Sequence, residues 1–241
     1  MTLEKILQSQ GFGSRKCCRE MVLDDRVTVN GIPCTEPSTE FDTDGLAFTV
    51  DGHAWCYRRH VYLAMHKPAG YECSHQTQHH PSVFSLLPPQ LVMRGVQCVG
   101  RLDQDTTGLL LMSDDGAFIH TYSSPKKKVG KTYEVTAKHP VQPAQVAALL
   151  DGVLLHDETA PLAASACEQI DPVTLHLTIA EGKYHQVKRM VAAAGNRVEK
   201  LHRIAIGSFR LGDDLPIGTW KWLEVEDLAR LGYTLSNGIG S

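Results

Sequence analysis

From residue 61 onward the chain is a succession of short apolar segments with strand character, and helices interrupt them only irregularly. Residues 61–65, 96–102, 109–113, 131–136, 163–170, 173–179 and 198–206 read as strands. Helical spacing is confined to residues 117–122, 143–150 with Pro143 at the first position, 184–194 before Gly195, and 224–231. A doubly wound parallel sheet needs a crossover helix between successive strands, and most of these pairs lack one. The pattern therefore predicts an α+β fold built on a mainly antiparallel mixed sheet with flanking helices. In Lys131-Thr-Tyr-Glu-Val-Thr136 the alternation sends Lys131, Tyr133 and Val135 to one face.

The first 58 residues have a different texture. Leu3, Ile6 and Leu7 share a helical face that Gly11 ends. Ser14 reads as the N-cap of a second helix whose buried side is Cys17, Cys18, Met21 and Val22. Residues 27–34 predict a hairpin, because Asn30-Gly31 supplies the positive φ angles of a tight turn and Pro33 suits an edge strand. A further strand over 47–50 closes at Asp51-Gly52. With 241 residues, 42% of them hydrophobic, the chain has room for a small module over 1–58 and a larger domain over 59–241.

Charge and cysteines narrow the function classes. The net charge of −3 is unevenly spread: residues 1–58 hold 6 Lys+Arg against 9 Asp+Glu, and 59–241 hold 18 of each. Lys126, Lys127, Lys128 and Lys131 form one basic run. Lys183, Lys188, Arg189, Arg197, Lys200 and Arg203 form another, so a basic face is available on a nearly neutral protein. No 18-residue apolar run predicts a membrane span, and the first residues lack the apolar core of a signal peptide. Seven scattered cysteines without Cys-x-x-Cys predict free thiols in a reducing cytoplasm and no zinc site. Gly130-Lys131-Thr132 lacks the preceding glycine of a phosphate-binding loop, because Pro125 stands there. His75, His79 and His80 have no carboxylate or thiol at ligand spacing, so neither a metal nor a cofactor is expected.

Two segments carry chemistry. Gly100-Arg-Leu-Asp-Gln-Asp-Thr-Thr-Gly108 brings a cation and two carboxylates to a bend before a strongly apolar strand. Glu181-Gly-Lys-Tyr-His-Gln-Val-Lys-Arg-Met190 opens a helix, with Tyr184, Val187 and Val191 as its apolar stripe and His185, Lys188 and Arg189 on a polar face. Taken alone, these are equally a polar bend and an exposed basic helix face. Asp103 and Asp105 could also be read as the acid/base pair of a glycosidase. On a strand, however, carboxylates two apart face opposite sides, which leaves Asp105 as a structural group in the bend, a partner for Thr106 or Thr107.

In order along nearly the whole chain, these segments resemble the RsuA-type pseudouridine synthases of small-subunit (16S) ribosomal RNA. The matching motifs are Lys67-Pro-x-Gly70, Gly100-Arg-Leu-Asp-x-Asp-Thr-x-Gly108, Lys131-Thr-Tyr133, Glu181-Gly-x-Tyr-His-Gln-Val-Lys-Arg-Met190, Gly195-Asn196 and Leu201-His-Arg203. Residues 1–58 are similar to an S4 RNA-binding module, although Thr2 and Glu4 replace the Arg and Asp common there. His-Gln-Val-Lys-Arg-Met also favours the small-subunit branch over the large-subunit paralogues.

The resemblance implies Asp103 as the catalytic aspartate, Tyr133 as the active-site tyrosine and Lys188 as the basic partner of Asp103. Ile179 would stand in the apolar wall. Arg101, His185 and Arg189 are candidate contacts to the RNA, as are Ser14, Arg15, Lys16, Arg19 and Arg26 of the S4-like module. The expected reaction flips a uridine out of the stack, cleaves its C–N bond with Asp103 and rejoins the uracil through C5. Asp103 could do this by attacking the sugar or by removing a ribose proton to give a glycal. Small-subunit ribosomal RNA or a pre-ribosomal particle is the expected partner of a cytoplasmic monomer. A large-subunit target and a non-catalytic rRNA-binding assembly factor are the alternatives.

Overall fold

A computed structural model describes residues 1–234, which divide into two compact units. The first unit comprises Met1–Val61 together with Leu87–Gln97. Helices α1 (Leu3–Ser9) and α2 (Arg15–Leu23) precede strands β1 (Val27–Val29), β2 (Ile32–Pro33), β3 (Ala47–Val50) and β4 (His53–Cys56), ordered β2-β1-β3-β4. The local signals act as expected. Ser14 accepts the Cys17 N–H at 3.3 Å, and Asn30 and Gly31 turn the chain at φ 50° and 79°. Pro33 lies on the edge strand. A second turn at Asp51 and Gly52, with φ 51° and 78°, adds β4, which the sequence pattern does not separate.

The apolar side of α2 is narrower than its sequence suggests. Cys18 and Val22 are buried with Leu3, Ile6, Leu7 and Phe48, whereas Cys17 is exposed and Met21 half-buried. A helix this short offers the core one i, i+4 line, and Cys17 sits a residue off it. The unit also takes in a stretch beyond residue 58, containing α3 (Pro89–Met93). There Arg94 donates to the Gln10 side chain at 2.9 Å and to the carbonyls of Arg58 and Arg59 at 2.9 and 3.1 Å. Gly11, at φ 85°, faces the Gln90 carbonyl so closely that a Cβ would lie 2.0 Å from its oxygen.

The second unit holds β5 (Tyr62–Lys67), β6 (Gln97–Cys98, beginning at the junction), β7 (Thr107–Ser113), α4 (Gly116–Ser123), β8 (Lys131–Ala137) and α5 (Pro143–Asp151). They are followed by β9 (Ala166–Gln169), β10 (Thr174–Ile179), α6 (Gln186–Ala193), β11 (Val198–Ile206), β12 (Phe209–Arg210), β13 (Trp220–Trp222) and α7 (Val225–Leu231). Its nine-stranded sheet runs β13-β5-β7-β11-β8-β10-β9, with β6 and β12 beside β7 and β11. Every pairing along that path is antiparallel except β7 with β11. The mixed, mainly antiparallel sheet matches the expectation.

β7 is central and buried on both faces, which accounts for its unbroken Leu-Leu-Leu-Met run. Tyr62, Leu109, Leu111, Phe118, Tyr122, Phe209 and Leu228 pack one core, closing α4 and α7 over the sheet. The parallel seam is tight: a Cβ on Gly108, at φ 107°, would lie 2.3 Å from the Arg203 carbonyl oxygen. Only glycine allows this approach. At β8 the predicted alternation holds, with Lys131, Tyr133, Val135 and Ala137 on the buried face.

Candidate active site

The strand expected over residues 96–102 shrinks to Gln97–Cys98, and Gly100–Thr106 is a loop. Lys67, at the end of β5 and 0% exposed, donates its ammonium to the carbonyls of Pro68 (3.0 Å), Asp103 (3.1 Å), Gln104 (3.3 Å) and Thr106 (2.9 Å). The Gly70 N–H adds a bond to the Gln104 carbonyl at 2.7 Å, and the Thr106 N–H turns back to the Asp103 carbonyl at 3.1 Å. On the other side of the loop, the Leu102 N–H donates to Cys73 Sγ at 3.5 Å. A hydrogen bond from Cys98, with the Leu102 amide and the nearby Lys67 and Arg203 charges, holds the Cys73 thiol below its ordinary value against its burial. Lys67-Pro-Ala-Gly70 thus forms the mount for Asp103, a role its residue types did not announce.

The fixed loop presents Asp103 to the start of α6. Lys188 Nζ lies 3.0 Å from Asp103 Oδ2, and His185 Nε2 lies 3.3 Å from Oδ1. The same ammonium donates to both oxygens of Asp105, at 2.7 and 2.9 Å. This corrects the sequence reading, which put the two carboxylates on opposite faces and tied Asp105 to the threonines. In a loop the strand's period of two does not apply, so both converge on one cation. Thr107 Oγ1 instead pairs with His202 Nδ1 at 2.7 Å, and Thr106 Oγ1 is buried without a partner.

Burial disfavours both charged forms, and their mutual attraction outweighs it. Asp105 is held below the ordinary carboxylate value of 3.8 and Lys188 above the ordinary 10.5. The depressed Asp105 contributes its stabilisation above the unfolded-state pKa and loses it as pH falls through the lower folded value. The raised Lys188 contributes fully below 10.5 and loses it only as pH rises through a still higher value. NMR titration of the Lys188 Nζ and Asp105 Cγ resonances should therefore show no ionisation step of either group from about pH 5 to about pH 9. An inflection of either resonance from its own ionisation inside that window would contradict the bridge.

Tyr133, Ile179, Leu201, Val187 and Leu102 line a small cavity of about 70 Å³ whose polar residues include Asp103, Arg101, Thr106, Lys183 and His185. Tyr133 is 8% exposed, and Arg203 Nη1 donates to its hydroxyl at 3.5 Å. Arg203 is itself buried: Nε donates to the Leu109 carbonyl at 2.7 Å, and Nη2 has no partner. Sequence reasoning counted Arg203 as part of a basic surface run; its burial follows from the Gly108 seam. Beside this cavity a wider one of about 430 Å³ opens past Arg101, Asp103, Lys183, Tyr184 and His185.

The structure brings Asp103, Lys188, His185, Tyr133, Ile179 and Arg101 to one place, and it moves two residues. Arg189 is not at the carboxylates: it pairs with Asp157 and donates to the Tyr184 carbonyl at 3.1 Å. Tyr184 is not part of the buried stripe. α6 begins at Gln186, after His185 at φ 48°, so Tyr184 lies outside the helix and is 75% exposed.

In the first unit, Ser14 is a helix cap, and Arg15 donates to the buried Glu4 carboxylate at 2.9 and 2.6 Å. Arg19 lies 3.7 Å from the other Glu4 oxygen. Arg26 makes a two-pronged bond to Asp51, both at 2.7 Å. Lys16 is the most open of these cations, its side chain 86% exposed.

Comparison with known proteins agrees with this fold. Residues 61–193 match the model of the RNA pseudouridylate synthase family, and residues 1–44 match the S4 domain. The chain belongs to the RNA pseudouridylate synthase family. It is a pseudouridine synthase carrying an N-terminal S4 domain. Among its relatives, ribosomal small subunit pseudouridine synthase A of Yersinia pestis is 38% identical, with 96% of this chain and 98% of that one covered. The Escherichia coli protein of that name is 37% identical over 95% and 99%. An uncharacterised RNA pseudouridine synthase of Bacillus subtilis, YtzG, is 36% identical over 95% and 97%. A solved pseudouridylate synthase superimposes with a TM-score of 0.68 at 32% identity, covering 96% of this chain and 99% of the other.

Proposed function

We propose that this chain isomerises a specific uridine of small-subunit ribosomal RNA to pseudouridine, with Asp103 as the group that acts on the sugar–base bond. The observation that carries this reading is the Asp103 carboxylate itself, fixed through its own backbone by Lys67 and held by Lys188 and His185 at the mouth of an apolar-walled cavity. A carboxylate so placed can attack the sugar or take a ribose proton, while Tyr133 and Ile179 confine the detached uracil. Tyr133 offers the base a face and a hydroxyl for proton transfer at C5. Arg101, exposed at the opening, is placed to hold the flipped nucleotide's phosphate or to fill the vacated stack.

The small-subunit target is supported by relatives matched over nearly the full chain, two of them named for that substrate. Residues 1–58 serve as the RNA-binding module and 59–241 as the catalytic domain, in a monomer that meets its RNA, free or in a pre-ribosomal particle, in the cytoplasm. The test is tritium release from 5-³H-uridine in separate small- and large-subunit transcripts. Release from the small-subunit transcript alone is expected. Release from the large-subunit transcript alone would move the target; free uracil with an abasic site would mean a glycosidase, and binding without release an assembly factor.

Arg15, Lys16 and Arg19 are the phosphate contacts of the module, Glu4 setting the two guanidiniums. Arg26 is spent on the hairpin. Each phosphate contact to a single strand contributes about 0.7 to the slope of log affinity against log salt. Lys16→Ala should lower that slope by about this amount while leaving the melting temperature unchanged, because the Lys16 side chain is 86% exposed and its ion pair to Glu20, at 3.9 Å, is on the surface. An unchanged slope would remove Lys16 from the interface.

A further inference from the structure

Tyr184 is the most exposed large hydrophobic side chain among the described residues, at 75%, and it is held still. Its ring stacks on that of His185, with centroids 3.8 Å apart and planes 20° from parallel. His185 in turn stands 3.3 Å from the Asp103 carboxylate. The backbone beneath is fixed from several sides. Arg189 donates to the Tyr184 carbonyl at 3.1 Å, and the Lys183 N–H donates to Gln186 Oε1 at 3.1 Å. Lys183 and Arg189 are further tied to Glu158 and Asp157.

His185 adopts a left-handed conformation at φ 48°, which a residue with a side chain adopts only at a cost of about 1 kcal/mol or more. That turn keeps the Tyr184 ring out of the core. An aromatic ring left in water on a strained, clamped backbone, on the wall of the cleft that leads to Asp103, is placed to receive another flat group.

We propose that Tyr184 is a stacking subsite for one nucleobase flanking the reacting uridine, resting on the assignment of Asp103 as the reacting group. The base on its free face lies beyond the Tyr184 ring, which itself stacks on the His185 ring whose Nε2 meets Asp103. That is too far for the reacting nucleotide and suited to its neighbour. The base, Tyr184 and His185 then form one stack, with Asp103 meeting His185 at Nε2, so seating the neighbour also steadies the ring that contacts the carboxylate. Stacking needs a face and no hydrogen-bond edge, so the subsite accepts any base and rejects a missing one.

The test uses the full-length protein and a synthetic RNA fragment spanning the mapped uridine, with 2-aminopurine at each flanking position in turn. Wild type and Tyr184→Phe should quench the fluorophore at one flanking position, and Tyr184→Ala should not. An abasic residue at that position should weaken binding to wild type by about 5- to 150-fold, the range of base–aromatic stacking, and to Tyr184→Ala by less than about twofold. The loss in Tyr184→Ala should fall more on KM than on kcat. Quenching that survives in Tyr184→Ala, or abasic and alanine losses that simply multiply, would overturn the subsite while leaving the catalytic reading intact. Quenching by a wild-type protein that forms no pseudouridine would do the reverse.

Discussion

Asp103→Asn is expected to bind RNA as wild type does and to form pseudouridine at least about 10³-fold more slowly, the scale on which removing a group that touches the reacting atoms is felt. The substitution keeps size and shape, so its effect is chemical. The amide has neither the nucleophilic oxygen nor the basicity of the carboxylate, whichever of the two routes Asp103 takes. The loop survives the change because Lys67, Gly70 and Thr106 hold it through backbone carbonyls, and Lys188 keeps Asp105 as a partner. Tritium release and RNA gel shift on the same preparation separate the two properties. Activity above about a hundredth of wild type in Asp103→Asn would refute the assignment of Asp103 as the reacting group.

The second large effect is expected at a residue with no part in the chemistry. Lys67→Met should cost about 3–5 kcal/mol of stability, as removal of one member of a buried charged network does. It should also lower pseudouridine formation at least about 100-fold. The ammonium shares three protons among four carbonyls at a site without solvent access, and methionine satisfies none of them. Burial pushes the Lys67 pKa down, opposed by Cys73, Asp105 and Asp103, so its charge is held against desolvation by the anionic side of the site. Urea unfolding measures the first loss. The second is measured at a temperature where the variant is folded. RNA affinity should change little, because Lys67 is fully buried beneath the Asp103 loop. A variant as active as wild type would show that the loop holds its shape unaided.

Much of the fold was legible because it rests on local signals. Apolar alternation marked Lys131–Ala137, Asn30-Gly31 marked the first hairpin, and Ser14 marked the start of α2. The signals failed where distant groups compete. The strand expected over 96–102 shortens to Gln97–Cys98, and the loop that follows gives the carbonyls of Asp103, Gln104 and Thr106 to Lys67. Helix periodicity assigned Tyr184 to a buried stripe, and the left-handed turn at His185 delays the start of the helix to Gln186, leaving Tyr184 outside it. The attachment of Leu87–Gln97 to the first unit had no local mark at all, since it depends on Arg94 meeting carbonyls more than thirty residues away.

By itself the sequence determined the class of sheet and the order of the motifs, because side-chain type and spacing encode these directly, and the resemblance those motifs carry singled out Asp103 as the candidate reacting carboxylate. Tertiary structure alone decided that Asp103 and Asp105 share Lys188, that a buried lysine holds their loop, and that Tyr184 faces solvent above His185. Those outcomes depend on backbone carbonyls and one left-handed residue brought together across the sheet. Every residue has the same carbonyl, so no pattern of side chains announces which four a lysine will find.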